Sequence, residues 1–217
     1  MSRRNTGGDR VNNPQDLFAL GPVVPVVVLD EVAHAVPLAR ALVRGGVQVI
    51  EVTLRTAAAL PAIERIAAEV PDMVVGAGTV TSPEQAEQAA KSGARFLISP
   101  GATAAVLDAM EQTGLPFLPG VATVSEAMRA AERGLTALKF FPAEAAGGVP
   151  YLRSIAGPLP GLRFCPTGGI TPARAGAYLS LSNVGCVGGS WLAPADALAA
   201  GDWSRIEMLA RDAAALR

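Results

Sequence analysis

Ala137-Leu138-Lys139-Phe140-Phe141-Pro142 is apolar on both faces of an extended chain and is closed by a proline. A run of that kind is a strand buried on both sides, and such strands belong to parallel sheets covered by helices. Working outward in both directions, the same pattern recurs. The predicted strands cover 23–29, 47–54, 73–79, 96–99, 116–120, 137–141, 163–166 and 184–188. Alanine-rich amphipathic stretches lie between them, as at 33–44, 57–70, 83–92, 104–112, 125–133 and 172–181. Glycines close the helix-to-strand joints (Gly45-Gly46, Gly93, Gly114, Gly134), and Thr/Ser with proline opens helices at Ser82-Pro83 and Thr171-Pro172. Strands alternating with helices mean a parallel sheet, and eight such units in 217 residues predict a single compact (β/α)8 TIM barrel over residues 14–217. A doubly wound open sheet is the competitor. It is weakened because the first strand runs into Leu29-Asp30-Glu31-Val32 and not into a GxGxxG turn.

Composition narrows the partners. Half the residues are hydrophobic, 17% are charged and the net charge is -1, with no basic footprint for nucleic acid or a membrane surface. Residues 1–13 (MSRRNTGGDRVNN) read as a mobile polar tail, and Arg3-Arg4 is followed by no apolar stretch that would make an export signal. Residues 22–29 form the longest aliphatic run, too short to span a bilayer. Two cysteines, Cys165 and Cys186, and one histidine, His34, supply neither a disulfide framework nor an ordinary zinc site. Reduced, buried thiols in a cytoplasmic protein are the expectation, with no metal and no cofactor. His34 lies at an apparent helix start and is assigned no function.

Lys139 is one of two lysines in the chain; the other, Lys91, reads as a solvated helix residue. Low dielectric penalises an ammonium, so a lysine in an apolar strand keeps more of its neutral, nucleophilic amine. The chemistry indicated is a Schiff base with a ketone. A lysine snorkelling from a strand end, or paired to a carboxylate, fits the run equally well. In the second strand Glu51, Thr53 and Arg55 alternate with Val52 and Leu54, so the three are expected on one side. An acid and an arginine on an inner face need a ligand or a charge partner, a structural ion pair being the plain alternative. Gly76-Ala77-Gly78-Thr79 is expected to bring bare backbone and one hydroxyl to the rim. Glu51 and Lys139 are then placed to meet across the lumen, an acid/base facing an amine. The last two strands end in Thr167-Gly168-Gly169 and Gly188-Gly189-Ser190. Paired glycines expose N–H groups where this architecture binds phosphate, and a side chain at Gly169 is expected to fill the phosphate's space.

Five ordered motifs then carry a resemblance over about residues 22–203. Glu51-Val52-Thr53-Leu54-Arg55-Thr56, Gly76-Ala77-Gly78-Thr79, Ile98-Ser99-Pro100-Gly101, Lys139-Phe140-Phe141-Pro142-Ala143-Glu144 and Phe164-Cys165-Pro166-Thr167-Gly168-Gly169 resemble the 2-keto-3-deoxy-6-phosphogluconate (KDPG) aldolases, some of which also split 2-keto-4-hydroxyglutarate (KHG). The resemblance implies a class I aldolase of Entner-Doudoroff-type sugar acid catabolism, a (β/α)8 barrel and a homotrimer. It also implies Lys139 as the Schiff-base lysine and Glu51 as the proton-transfer group. Arg55 and Thr79 would hold the pyruvyl carboxylate, Thr167 would set stereochemistry, and Gly168, Gly169, Gly189 and Ser190 would hold the phosphate. Galactonate-specific relatives generally differ at the position of Thr167, which favours the gluconate-derived substrate. Three other readings compete. A metal-dependent aldolase lacks ligands in this sequence, and a sugar-phosphate isomerase or epimerase would not need the lysine. A non-catalytic sugar-phosphate-binding protein would need neither Glu51 nor Lys139.

Overall fold

The computed structural model describes residues 11–216. Its strands are β1 (Val23–Val27), β2 (Val49–Thr53), β3 (Val74–Gly78), β4 (Leu97–Ile98), β5 (Phe117–Leu118), β6 (Gly120–Val121), β7 (Ala137–Phe140), β8 (Arg163–Pro166) and β9 (Val187–Gly189). The helices are α1 (Asp16–Ala19), α2 (Ala35–Arg44), α3 (Ala59–Glu69), α4 (Pro83–Lys91), α5 (Ala104–Gln112), α6 (Val124–Glu132), α7 (Gly148–Ala156), α8 (Pro172–Leu179), α9 (Ala195–Ala200) and α10 (Trp203–Ala214). No helix among the described residues is long and apolar enough to cross a membrane.

All the strand pairings are parallel and fall into two sheets, of order β5-β4-β3-β2-β1-β9 and β6-β7-β8. Every residue of β2 and β3 is buried, as expected of strands covered on both faces. The predicted fifth strand is interrupted at Pro119, which has no N–H to give; its carbonyl still accepts from the Lys139 N–H at 2.9 Å. Between β8 and β9 the ladder thins to two isolated bridges, Phe164 with Val184 and Thr167 with Gly188. The described fold is therefore α/β with parallel sheets in two segments, where the sequence predicts one unbroken ring.

Local chemistry explains the helix boundaries. Ser82 caps α4 by accepting from the Gln85 N–H, and Thr123 with Glu126 forms a reciprocal capping box on α6. Thr171 stands at the N-cap of α8 but makes no side-chain cap bond. The C-terminal α10 was not predicted, although Ile206, Ala210 and Ala213 mark its buried face. It packs on α2 so closely that a β-carbon at Gly45 would lie 2.5 Å from Ala210 Cβ. Arg44 and Glu207 tie the same two helices at 2.7 Å.

The predicted tail divides. Residues 1–10 lie outside the described residues. Val11 is buried in the core, and the N–H groups of Asn12 and Asn13 donate to Asp16 Oδ2 at 2.8 and 3.0 Å. Those two bonds, Asn12's first, hold the Asp16 carboxyl below the usual range. The packed chain thus begins by residue 11, because a single valine gains burial that its polar neighbours do not.

Candidate active site

Lys139 sits in β7 and Glu51 in β2, and the two side chains meet. Lys139 Nζ lies 3.3 Å from Glu51 Oε1, with the residues only 4% and 1% exposed. The Lys139 backbone is fixed on both sides, opposite Gly120 in β6 and Cys165 in β8. Its ammonium nitrogen also stands 5.3 Å from the centroid of the Phe141 ring. Glu51 is fixed in the same way, opposite Val26 in β1 and Gly76 in β3. Burying two charges costs several kcal/mol per ion, roughly, so this pair is weak evidence for stability and better evidence for a task.

The glycines of β3 have a different job from the one the sequence suggested. Gly76 and Gly78 are buried within the strand and do not line the rim. A β-carbon at Gly76 would overlap the Phe96 ring, and one at Gly78 would overlap the Glu51 carboxylate. Gly78 therefore makes the space in which the acid lies beside the lysine.

Arg55 departs from its predicted place. β2 ends at Thr53, whose hydroxyl donates to the Val27 carbonyl at 2.9 Å, and Arg55 follows in a turn. The alternation that put Glu51, Thr53 and Arg55 on one face stops there, and no Glu51–Arg55 ion pair forms. Arg55 Nε donates to Thr79 Oγ1 at 3.2 Å instead. Among the described residues its Nη groups have no partner, so the fork is open toward solvent. Thr79 has φ 60, a left-handed conformation that a β-branched residue seldom adopts and that costs about 1–3 kcal/mol. Strain of this kind concentrates at functional sites, and here it aims a hydroxyl at an arginine.

Thr167 is buried at the end of β8. Its hydroxyl lies 3.4 Å from the Cys165 carbonyl, and a β-carbon at Gly188 would overlap it. Gly168 and Gly169 follow with φ 107 and 76, beyond the ordinary range of L side chains. Among the described residues nothing accepts from their N–H groups or from that of Ser190. These are free donors at the ends of two neighbouring strands, an arrangement that suits an anion. The expectation that Gly169 is small for the phosphate's sake needs correcting. A β-carbon there would sit 2.9 Å from Glu144 Cβ and Cγ, and the positive φ would strain it regardless. Gly189 likewise yields its space to the Trp191 indole.

Lys91 and His34 lie away from this cluster, whereas the Cys165 thiol borders it, 3.9 Å from Thr167 Oγ1. Lys91 is exposed on α4 and paired with Glu87 at 2.5 Å. His34 stacks edge-on against Trp203 with ring centroids 5.6 Å apart. Cys165 and Cys186 are buried free thiols, and the hydrogen bond with Cys165, reinforced by burial, pushes the Cys186 thiol up. A groove of about 480 Å³ lies at the opposite ends of β5 and β7, beside Asn12 to Gln15, and no charged side chain lines it. The sequence reading missed Glu144's partners, Arg174 and Tyr178 of α8. Their spacing of one helical turn was the available signal.

Known proteins agree with this geometry. The chain is 56% identical over 201 residues to the 2-dehydro-3-deoxy-phosphogluconate aldolase of Pseudoalteromonas atlantica, covering 93% of this chain and 94% of the relative. It is 55% identical over 199 residues to the KHG/KDPG aldolase of Escherichia coli K12, covering 92% and 93%. The crystal structure of KDPG aldolase from Legionella pneumophila, with pyruvate captured at low pH as a covalent carbinolamine intermediate, superposes with a TM-score of 0.91. That alignment has 47% identity and covers 94% of this chain and 98% of the other. Residues 15–209 match the sequence pattern of one family throughout, and the chain belongs to the KDPG and KHG aldolases.

Proposed function

We propose that this protein is a class I aldolase that splits KDPG into pyruvate and glyceraldehyde 3-phosphate, and KHG into pyruvate and glyoxylate. The observation that carries the reading is the buried Lys139–Glu51 pair, 3.3 Å apart. The relatives named above are KDPG aldolases by name, the Escherichia coli one a KHG/KDPG aldolase, and the carbinolamine of the Legionella enzyme is the adduct an amine forms with pyruvate.

A proton passed from the ammonium to the carboxylate leaves the pair neutral overall and frees the amine. Lys139 nitrogen then attacks the C2 carbonyl carbon, and the proton that the nitrogen loses is taken up by the former carbonyl oxygen to give a carbinolamine. Glu51 supplies the proton with which that oxygen leaves as water, and an iminium remains. Now a carboxylate, Glu51 removes the C4 hydroxyl proton. The C4–O bond becomes an aldehyde and the C3–C4 electron pair moves into the enamine. Protonation at C3 and hydrolysis release pyruvate and restore the amine. The iminium is the electron sink, so the scheme uses no metal and no cofactor.

Arg55 is assigned the pyruvyl carboxylate, which its fork can hold bidentately, with Thr79 beside it. Gly168, Gly169, Gly189 and Ser190 are assigned the phosphate, supported by the free N–H groups of Gly168, Gly169 and Ser190. Thr167, buried at the end of β8 next to Gly168, is assigned the stereochemical choice that favours the gluconate-derived substrate. We further read one aldolase domain, placed by the sequence at residues 14–217 and extended to residue 11 by the buried Val11. The two sheets would form a closed (β/α)8 barrel, supported by the two bridges from β8 to β9. The cytoplasmic assignment is supported by the two buried free thiols, and the homotrimer by the family resemblance alone.

The test is trapping with pyruvate and borohydride, followed by peptide mass mapping. The Lys139 peptide should gain a reduced pyruvyl group and the Lys91 peptide should not. Labelling confined to Lys91, or none at all, would falsify the Schiff-base reading. A parallel assay after exhaustive EDTA treatment should show full turnover. Loss that added divalent metal restores would return the metal-dependent mechanism.

A further inference from the structure

We propose that Glu144, Tyr178 and Arg174 form a positioning cluster for the Gly168-Gly169 turn and thereby set the preference for a phosphorylated substrate. The proposal rests on reading that turn, with Ser190, as the phosphate cradle. Glu144 lies in the loop after β7, the strand that carries Lys139. Its N–H donates to the Gly168 carbonyl at 3.1 Å, and the Ala143 N–H donates to the Thr167 carbonyl at 2.8 Å. Its side-chain stem is the surface on which Gly169 rests. The turn is thus held against Glu144 from two sides, by main-chain bonds and by packing.

Glu144 is held in turn by α8, the helix that starts just beyond the glycines. Tyr178 donates its hydroxyl to Oε1 at 2.6 Å, and Arg174 Nη1 pairs with Oε2. Tyr178 is 1% exposed, and burial together with the Glu144 bond pushes its phenol up, which keeps it a donor. Arg174 and Tyr178 are one turn apart, so both reach the same carboxylate. The three side chains join the Lys139 loop to α8 and enclose the glycine turn between them. Charge completes the argument. A bare carboxylate under a phosphate cradle would repel the ligand, and Arg174 cancels that charge where it arises. Neither Tyr178 nor Arg174 needs to touch substrate; they act through Glu144 on the placement of the Gly168 and Gly169 N–H groups.

The test compares KDPG and KHG cleavage in wild type, Tyr178→Phe, Arg174→Gln and Ser190→Ala. KHG has a carboxylate in place of the phosphate-bearing arm. Losing one hydrogen bond to Glu144 should raise KM for KDPG about fivefold in Tyr178→Phe, with kcat within about twofold. Arg174→Gln, on an exposed side chain, should shift KM the same way and keeps the test open if Tyr178→Phe fails to fold. A merely structural role would lower both substrates' rates alike, or lower Tm alone. An unchanged ratio of the two kcat/KM values in both cluster variants overturns the proposal. If Ser190→Ala shifts that ratio while the cluster variants do not, the cradle stands and the cluster falls. If Ser190→Ala also leaves it unchanged, the cradle reading fails and the cluster proposal fails with it.

Discussion

The Lys139–Glu51 centre and the glycine rim are built from opposite materials. The centre is buried and carried on strands, the backbone of each residue paired to two neighbouring strands. The rim is open and made largely of backbone, with Gly169 and Ser190 exposed. A reaction that moves protons and forms a bond to nitrogen needs atoms held to fractions of an ångström, which sheet pairing supplies. Holding an anion needs donors and clear space, which turns supply at the cost of precision. Rates should therefore break at the centre, and affinities at the rim.

The largest effect is expected at Glu51. Glu51→Gln keeps the shape of the side chain and its place beside Gly78, but cannot shuttle protons. Cleavage should fall at least about a hundredfold, the usual scale for a lost acid/base group, while the circular dichroism spectrum stays that of wild type. Near-normal turnover in a folded variant would move the proton work to water or another residue and erase the contrast between centre and rim.

Arg55 stands between the two regions. Off the strand but locked to Thr79, it should behave as a binding residue with strict geometry. Arg55→Lys keeps the charge and loses the fork, so KM for both KDPG and KHG should rise roughly tenfold, the value of a charge-assisted hydrogen bond. Equal KM values in the variant and wild type would show that the pyruvyl carboxylate is held elsewhere.

The sequence disclosed these regions unequally, for physical reasons. Apolar strands alternating with helices announce a parallel α/β fold, because burial on two faces leaves no room for polar alternation. Lys139 and Glu51 were legible as charges where charges are costly. The stop of β2 at Thr53 was not, since a hydroxyl can end the pattern by bonding to the next strand, as Thr53 does to Val27. Gly76, Gly78, Gly169 and Gly189 looked like ligand-facing backbone. Gly76, Gly78 and Gly169 in fact yield to side chains from elsewhere in the chain, Phe96, Glu51 and Glu144, and Gly189 to its near neighbour Trp191. A missing side chain is visible in sequence, but what fills its place is a tertiary fact. The Thr79 strain is invisible for the same reason, because only the packed fold holds a threonine in that conformation.

Ser190→Ala has the smallest expected effect and draws the line between the regions most finely. Its hydroxyl has no protein partner among the described residues, so the substitution removes nothing the folded chain uses. In the proposed cradle Gly168 and Gly169 would offer main-chain donors that no substitution can delete, and Gly→Ala at Gly169 would add strain and a clash with Glu144. Ser190 is therefore the one rim position where a ligand bond can be removed alone. One lost hydrogen bond is worth about 0.5–1.5 kcal/mol net, so KM for KDPG should rise about two- to tenfold. With kcat unchanged, and the yield of borohydride adduct with pyruvate equal to wild type, the loss lies in binding alone. A fall in kcat with KM unchanged would tie Ser190 to the chemical step, and the division between a catalytic centre and a binding rim would no longer describe this enzyme.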